Sequence, residues 1–144
     1  MKALILNSGL GHRLGVLTSE HPKCMTEISG TDTILSRQLK LLVKAGVQDV
    51  VMTTGYFDDI LVDYCRTLNL PLNFTFVNNP LYRETNYIYS IYCAREHLTG
   101  DDIILVHGDL VFIPQLLHPR KSFRIRRLPE SSPEPERIGR AVPV

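Results

Sequence analysis

Residues 2–14 of the chain are Lys2-Ala3-Leu4-Ile5-Leu6-Asn7-Ser8-Gly9-Leu10-Gly11-His12-Arg13-Leu14, an apolar run followed at once by a polar loop that contains two glycines. A short apolar run bounded by turn residues is typical of a strand buried on both faces of a parallel sheet. Glycines directly after such a strand let backbone amides approach an anion with no side chain in the way. This segment predicts a strand that carries a phosphate-binding loop.

Strands and helices are predicted to alternate along the rest of the first 113 residues. Apolar runs predict further strands over 49–54, 72–77 and 102–107, and apolar residues at helical spacing predict helices over 33–45, 58–68 and 86–98. Such alternation forms a parallel sheet with right-handed crossovers and helices on both faces. We therefore expect an α/β fold, a Rossmann-like three-layer sandwich with a mainly parallel sheet.

Each predicted strand ends in a polar cluster. The clusters are the glycine loop, Gly55-Tyr56, Asn78-Asn79 and Asp109. The carboxyl ends of parallel strands meet at one edge of the sheet, and open α/β sheets bind ligands in the crevice there. The four clusters are therefore predicted to form one site.

Two cations strengthen the phosphate interpretation. Arg13 lies two residues after Gly11, and Lys23 follows a proline that restricts the backbone. An arginine can bind the β- and γ-phosphates in bidentate fashion, and a lysine supplies a point charge at the α-phosphate. The loop is not a P-loop because no GK[ST] follows. A dinucleotide site is disfavoured because Leu14 occupies the third glycine position and no acidic residue ends the second strand.

Gly9-x-Gly11-x-Arg13-Leu14 with Leu17-Thr18-x3-Pro22-Lys23 resembles, without a gap, the GxGxRLxxLTxxxPK signature of the sugar-phosphate and choline-phosphate nucleotidyltransferases. Asn79-Pro80-x-Tyr82 and the segment 85–90 are most similar to the bacterial choline-phosphate and phosphonate cytidylyltransferases. The resemblance implies the nucleotide-diphospho-sugar-transferase type of fold. It also implies transfer of CMP from CTP to a phosphorylated small molecule such as phosphocholine, a phosphonate or a sugar phosphate, with Mg²⁺ and release of pyrophosphate.

The resemblance also implies roles for individual residues. Arg13 and Lys23 would be catalytic, on the β/γ-phosphates and the α-phosphate, and Asp109 would ligate Mg²⁺. The nucleotide would be bound by Asn7, Ser8, Gly9, Leu10, Gly11, Gly55, Tyr56 and Asn86. Each of these roles has a simpler alternative: Arg13 could be an ordinary surface arginine, and Asp109 could be an ordinary turn residue. His107 and the pair Tyr89 and Tyr92 are not assigned to the catalytic set.

The character of the chain changes near residue 115. The net charge is −3 over residues 1–115 and +4 over 116–144, within an overall charge of +1 that gives no reason to expect nucleic acid or a membrane as partner. We expect an NTP-binding core over 1–113 and an atypical proline- and arginine-rich tail over 114–144, solvated or disordered, with a basic arm for an acidic partner as the alternative. Three cysteines without a CxxC pair predict reduced thiols in the cytoplasm.

The chain departs from the resembling family after Asp109. Those enzymes usually exceed 200 residues and supply a second carboxylate for Mg²⁺. The acidic residues of the tail are only Glu130, Glu134 and Glu136, with no aspartate. The sequence therefore predicts a fold incomplete at its C-terminus, through a frameshift or as half of an enzyme that another chain completes. Uncovered apolar surface would then favour a homo-oligomer. A catalytically inactive nucleotide-binding or interaction module is the alternative function.

Overall fold

The computed structural model describes residues 1–9 and 20–113. Its strands are β1 (Lys2–Leu6), β2 (Glu27–Ser29), β3 (Asp32–Thr33), β4 (Asp49–Thr54), β5 (Asn73–Asn78) and β6 (Ile103–His107). Its α-helices are α1 (Ile34–Lys44), α2 (Asp58–Thr67) and α3 (Tyr87–Ala94). The predicted alternation is confirmed, with boundaries within a few residues of those expected.

Four strands form one parallel sheet in the order β5-β4-β1-β6. Leu6 of β1 pairs with Thr53 of β4 on one side and with His107 of β6 on the other, so the carboxyl ends are level. Along the chain the strands move outward from β1 to β5 and then return to the opposite side of β1. The order of strands thus reverses between β1 and β6, which is the switch point where such sheets bind ligands.

Helices pack on both faces of the sheet, as expected for three layers. On one face, α1 and α2 bury Leu35, Leu39 and Leu61 against a core that includes Ile5 and Met52. On the other face, α3 packs Ala94 and Ile91 against Leu4, Leu6 and Val51. Because successive residues of a strand point to opposite faces, β1 contributes to both cores, which explains its uninterrupted apolar sequence.

The first helix has well-defined ends. The hydroxyl of Thr33 accepts a hydrogen bond from the backbone N–H of Ser36 at 3.0 Å, and the Ser36 hydroxyl accepts one from the Thr33 N–H at 3.0 Å. This capping box makes Thr33 the N-cap of the helix. Gly46 follows the helix with φ of +81°, a conformation that favours glycine, and ends it where the sequence predicts.

The third helix differs from its prediction in length and orientation. It ends at Ala94 and continues as a 3-10 turn over Arg95–His97. The sequence predicts one apolar face made of Ile88, Ile91, Tyr92 and Leu98. Ile91 and Leu98 pack against the core as expected, whereas Ile88 and Tyr92 are 59% and 54% exposed. The buried positions are Ser90 and Ala94, whose small side chains allow the helix to lie close to the sheet. The inward side of α3 thus combines two small residues with Ile91.

A short antiparallel ribbon, β2 with β3, was not expected from the sequence. It follows a 3-10 helix over Lys23–Met25 and leads directly into α1. The backbone N–H of Ile34 donates to the carbonyl of Thr26 at 3.1 Å and ties the ribbon to the helix start. The segment that contains Lys23 is therefore fixed to α1.

The structure contains no helix, within the ranges it describes, that is long and apolar enough to cross a membrane. The predicted tail, residues 114–144, lies outside those ranges.

Candidate active site

A cavity of about 480 Å³ opens at the carboxyl ends of β1 and β6, at the switch point of the sheet. The loop after β1 forms one side and the loop after β6 another. The remaining walls are the turn over 22–24 and the segment between β5 and α3. The lining residues are Leu6, Asn7, Ser8, Gly9, Pro22, Lys23, Cys24, Asn79, Tyr82, Thr85, Asn86, Tyr87, Ser90, His107, Gly108 and Asp109.

Lys23 and Asp109 meet at this cavity although they lie 86 residues apart in the chain. The Lys23 Nζ donates to Oδ2 of Asp109 at 2.8 Å, with the two side chains 38% and 45% exposed. This hydrogen bond, with the ammonium charge, lowers the pKa of the Asp109 carboxyl. Lys23, predicted to bind the α-phosphate, and Asp109, predicted to bind Mg²⁺, therefore lie side by side, and the lysine is the counter-ion of the carboxylate.

The loop that carries Asp109 is held by a side chain from α1. Gln38 is buried, and its Nε2 donates to the carbonyls of His107 at 2.9 Å and Leu110 at 2.6 Å. Those two carbonyls bracket Asp109. The position of the carboxylate is thus set from the helix that also anchors Lys23. Sequence analysis assigned no role to Gln38; the available signal was a polar residue at a position where helical spacing predicts burial.

The loops after β1 and β6 are packed directly against each other. The Gly108 N–H donates to the Leu6 carbonyl at 3.0 Å, and the Asn7 side chain lies against the Gly108 Cα. A Cβ at Gly108 would overlap Asn7. Within residues 1–9 and 20–113, the buried Nδ2 of Asn7 has no hydrogen-bond partner. Asn7 therefore brings an unused donor to the cavity that it lines.

Gly55 and Tyr56, predicted to border the base, do not line the cavity. Gly55 lies behind the phosphate loop, where a Cβ would overlap the backbone carbonyl of Ser8. Tyr56 is exposed, and its ring centroid lies 6.3 Å from that of Tyr82, which does line the cavity. In this structure Gly55 permits close packing of the loop, and the predicted contacts with the base stay predictions.

Asn86 and Ser8 do line the cavity, and each has a definite local role. Asn86 caps α3, since its Oδ1 accepts from the Ile88 N–H at 3.0 Å, as the sequence suggested. Ser8 accepts a hydrogen bond from Ser90 at 3.0 Å. A Cβ at Gly9 would meet no atom of residues 1–9 and 20–113 within 4 Å.

A buried polar network behind Ser8 was not predicted. Asn79 donates through Nδ2 to Ser90 Oγ and Thr85 Oγ1, both at 3.0 Å, and its Oδ1 accepts from the Leu81 N–H at 2.9 Å. The Asn79 N–H donates to the carbonyl of Thr54 at 2.9 Å. The network joins β4, the loop after β5 and α3. Its sequence signal was Asn79 next to a proline, which also fits an ordinary turn.

Leu10, Gly11 and Arg13, the remaining predicted nucleotide and catalytic residues, lie outside the described ranges. Their predicted roles therefore stay predictions. Gly9, the last described residue before them, borders the cavity, so the loop enters this region from the expected side.

Cys24 also borders the cavity but is not suited to act as a nucleophile. The side chain is buried, and burial together with the neighbouring Cys65 raises the pKa of its thiol far above the ordinary value. The thiolate is the reactive form of cysteine, so this thiol is inert near neutral pH. Its place in the core instead anchors the Lys23–Met25 turn.

Asp109 is the carboxylate that the described part of the cavity offers to a metal ion. No group of three or more His, Cys, Asp or Glu side chains converges anywhere within residues 1–9 and 20–113. Magnesium in nucleotide sites is commonly held by one or two carboxylates together with phosphate oxygens and water. A single exposed carboxylate beside an anion-binding loop fits that pattern and would leave the ion dependent on the nucleotide.

Comparison with known families identifies this arrangement. The sequence model of one protein family, the MobA-like NTP transferase domain, matches residues 3–124, which is most of the chain. The chain belongs to the MobA-like NTP transferase family. The sheet with its switch-point cavity, the glycine loop and the pair Lys23 and Asp109 all lie within the matched region.

Relatives of this NTP transferase domain act with more than one nucleotide. The chain is 30% identical over 117 residues to the CTP:phosphoglutamine cytidylyltransferase of Campylobacter jejuni, covering 78% of this chain and 45% of that protein. It is 30% identical over 125 residues to the D-glycero-alpha-D-manno-heptose 1-phosphate guanylyltransferase of Aneurinibacillus thermoaerophilus, covering 85% and 51%. These names include both a cytidylyl- and a guanylyltransferase acting on phosphorylated substrates.

A solved structure supports the fold. The CTP:phosphocholine cytidylyltransferase of Streptococcus pneumoniae superposes with a TM-score of 0.63 at 29% identity, covering 75% of this chain and 44% of that one. The predicted nucleotide-diphospho-sugar-transferase type of α/β fold is thereby confirmed. The chain spans about half the length of these relatives.

Proposed function

We propose that this domain transfers a nucleoside monophosphate, CMP from CTP, to the phosphate or phosphonate group of a small molecule such as phosphocholine or a sugar phosphate. The observation that carries the proposal is the convergence of Lys23 and Asp109, 2.8 Å apart, on a cavity bordered by the glycine loop. The similarity to cytidylyltransferases favours CTP, and the guanylyltransferase relative makes GTP the competing nucleotide.

In the reaction, an oxygen of the acceptor phosphate attacks the α-phosphorus of the nucleotide. The new P–O bond forms as the bond between the α-phosphorus and the bridging oxygen breaks, and pyrophosphate leaves. Catalysis comes from positioning and from neutralising charge, with no covalent intermediate on the protein. Lys23 would neutralise the α-phosphate, and Arg13 the departing β- and γ-phosphates.

Asp109 would hold Mg²⁺, which, when bound, supplies positive charge to the phosphate oxygens. The hydrogen bond between Lys23 and Asp109 must then open, since both groups are needed by the nucleotide. An exposed ion pair of this kind contributes about 0–1 kcal/mol to stability, so opening it costs little.

The three reduced cysteines fit the expected cytoplasmic location.

The decisive experiment measures pyrophosphate release by the full chain with Mg²⁺, each of CTP and GTP, and phosphocholine, a phosphonate or a sugar phosphate as acceptor. Lys23→Ala is expected to reduce turnover at least about a hundredfold, because a preorganised charge on the reacting phosphate is lost. Lys40→Ala is the matched control, since Lys40 forms an exposed ion pair with Asp32 away from the cavity. Equal turnover by the wild type and Lys23→Ala would refute the role of Lys23.

A nucleotide-binding module without turnover is the second candidate. It is favoured by one observation: among residues 1–9 and 20–113, Asp109 is the sole carboxylate lining the cavity. Thermal-shift measurements with the four NTPs and Mg²⁺ separate the two functions, because specific binding raises the unfolding temperature whether or not transfer occurs. Stabilisation by a nucleotide without pyrophosphate release would establish the binding module.

A further inference from the structure

We propose that the contact between Lys23 and Asp109 is autoinhibitory: it opposes the binding of a free divalent cation and of a free triphosphate, and yields to the two together. In the protein without ligands, the lysine takes the place of a cation on Asp109, and the carboxylate takes the place of a phosphate on Lys23. The inference rests on the proposed function and adds to it a coupling between metal and nucleotide.

The backbone on each side of the contact is held by hydrogen bonds. The Thr26 N–H donates to the Lys23 carbonyl at 3.0 Å, in the turn that is tied to the start of α1. The Gly108 N–H donates to the Leu6 carbonyl at 3.0 Å and so joins the residue before Asp109 to the end of β1. The contact can therefore open by rotation of two side chains, while both turns keep their positions.

The contact itself is one that ligands can replace. Lys23 Nζ donates to Asp109 Oδ2 at 2.8 Å, and the two side chains are 38% and 45% exposed, so water and ligands reach both. An exposed pair of this kind is weak, and charged phosphate oxygens are strong acceptors for a lysine. The pair is therefore closed in the free protein but open to exchange.

Each ligand alone meets one charge of the wrong sign. A cation on Asp109 would lie beside the Lys23 ammonium, and a phosphate on Lys23 would lie beside the Asp109 carboxylate, at distances where like charges repel. A complex of metal and triphosphate brings a positive charge to the carboxylate and a negative charge to the ammonium. It therefore replaces both halves of the pair at once, and each ligand raises the affinity for the other.

A free cation also finds little else to bind there. Among residues 1–9 and 20–113, Asp109 is the sole carboxylate that lines the cavity. The sequence of residues 10–19, which continue the glycine loop, contains no aspartate or glutamate. A second acidic side chain that could offset the ammonium is thus missing from both of these parts of the chain, and the lysine dominates the affinity for a free cation.

The first test measures binding of Mn²⁺ to the full chain by electron paramagnetic resonance, without nucleotide. Mn²⁺ replaces Mg²⁺ as the probe because both ions prefer octahedral oxygen ligands. Lys23→Met removes the charge but keeps an unbranched side chain, and is expected to tighten Mn²⁺ binding about three- to tenfold. Lys40→Met is the matched control, since it removes the same charge from an exposed pair with Asp32. Its affinity for Mn²⁺ should equal that of the wild type.

The second test measures CTP binding by calorimetry with EDTA present, so that no metal takes part. Asp109→Asn is expected to bind metal-free CTP about three- to tenfold more tightly than the wild type, because Lys23 is released and a repulsive charge is removed. With Mg²⁺ the order should reverse, since the variant lacks its carboxylate ligand. A residue that served only to bind metal would leave the metal-free affinity unchanged. Asp32→Asn is the matched control.

Both tests expect a gain of affinity, which a misfolded variant does not produce. Equal Mn²⁺ affinities of the wild type and Lys23→Met, or metal-free CTP affinity of Asp109→Asn no higher than that of the wild type, would overturn the inference and leave the proposed function intact. Absence of CTP binding by the wild type with Mg²⁺ would overturn both. Binding of CTP with Mg²⁺ but without pyrophosphate release would overturn transfer alone, and the inference would stand on the two affinities.

Discussion

Gly9 and Gly55 both belong to the predicted nucleotide site, but the space around their Cα atoms differs. A Cβ at Gly55 would overlap the Ser8 carbonyl, whereas a Cβ at Gly9 would meet no described atom within 4 Å. The glycine at position 55 is thus required by the folded protein itself. The packing of the described residues gives no such reason at position 9, where the close approach of a nucleotide stays a prediction.

Substitution by alanine should separate these two reasons. Gly9→Ala is expected to change the free energy of unfolding by less than about 0.5 kcal/mol but to weaken NTP binding about tenfold or more, since the methyl group would occupy the space of the phosphates. Gly55→Ala is expected to lower the free energy of unfolding by about 1–3 kcal/mol. Urea unfolding and calorimetry measure the two quantities. Unaltered nucleotide affinity of Gly9→Ala would contradict the close approach.

At the scale of single residues, the sequence was informative where a side chain has a chemical signature. Lys23 and Asp109 were predicted from the motif and from the end of a strand, and the structure brings them within 2.8 Å of each other. Ser90 and Gln38 were not predicted as site residues, and Asn79 was predicted only as part of a polar cluster at the end of a strand, without its buried hydrogen bonds. Their roles depend on hydrogen bonds between distant segments, which no local pattern of polar and apolar residues encodes.

Helix α1 is the element that connects the two charged residues of the site. Its start is tied to the turn after Lys23, and Gln38 on its second turn holds the loop of Asp109 through two carbonyls. Gln38 Oε1 is buried without a partner in the described chain, a cost that the two Nε2 hydrogen bonds offset. The polar side chain of Gln38, on the apolar face of α1, therefore positions the loop that carries Asp109.

Removing that side chain should loosen the loop after β6. Gln38→Ala leaves the carbonyls of His107 and Leu110 without their partner and creates a cavity, so the free energy of unfolding is expected to fall by about 2 kcal/mol. Nucleotide affinity in the presence of Mg²⁺ should fall as well, because Asp109 loses its support. Gln48→Ala, at an exposed position between α1 and β4, is the control in urea unfolding. Unchanged stability of Gln38→Ala would show that the loop holds its position without α1.

At the level of elements, the period of the apolar residues predicted the four parallel strands and the three helices. It did not predict the ribbon β2–β3, whose residues are exposed or polar and carry no alternation. It predicted the packed positions of Ile91 and Leu98 but also placed Ile88 and Tyr92 on that face, and these two are exposed while Ser90 and Ala94 are buried. The ribbon carries no apolar pattern that could predict it, and the exposure of Ile88 and Tyr92 depends on how α3 packs against the sheet, which the sequence does not state.

The sheet as a whole leaves apolar side chains exposed on one side of the molecule. Strand β6 is the last in the described strand order, with β1 as its partner there. Leu105 on β6 is 47% exposed, and Leu110, Val111 and Ile113 beyond it are exposed as well. Exposed apolar residues on and after a strand at the edge of the described sheet favour association with another surface. The sequence predicts such association from the apolar surface that a fold incomplete at its C-terminus leaves uncovered.

We therefore expect the full chain to self-associate at micromolar concentration, as measured by sedimentation velocity. Leu105→Lys should shift the distribution towards the monomer, because a charge in the contact would have to be desolvated. Ile60→Lys is the matched control: Ile60 is also an exposed apolar residue, but it lies on α2, which connects β4 and β5 at the opposite end of the sheet. A wild-type chain that sediments as a monomer would refute the prediction, and an equal effect of both substitutions would exclude the β6 side as the contact.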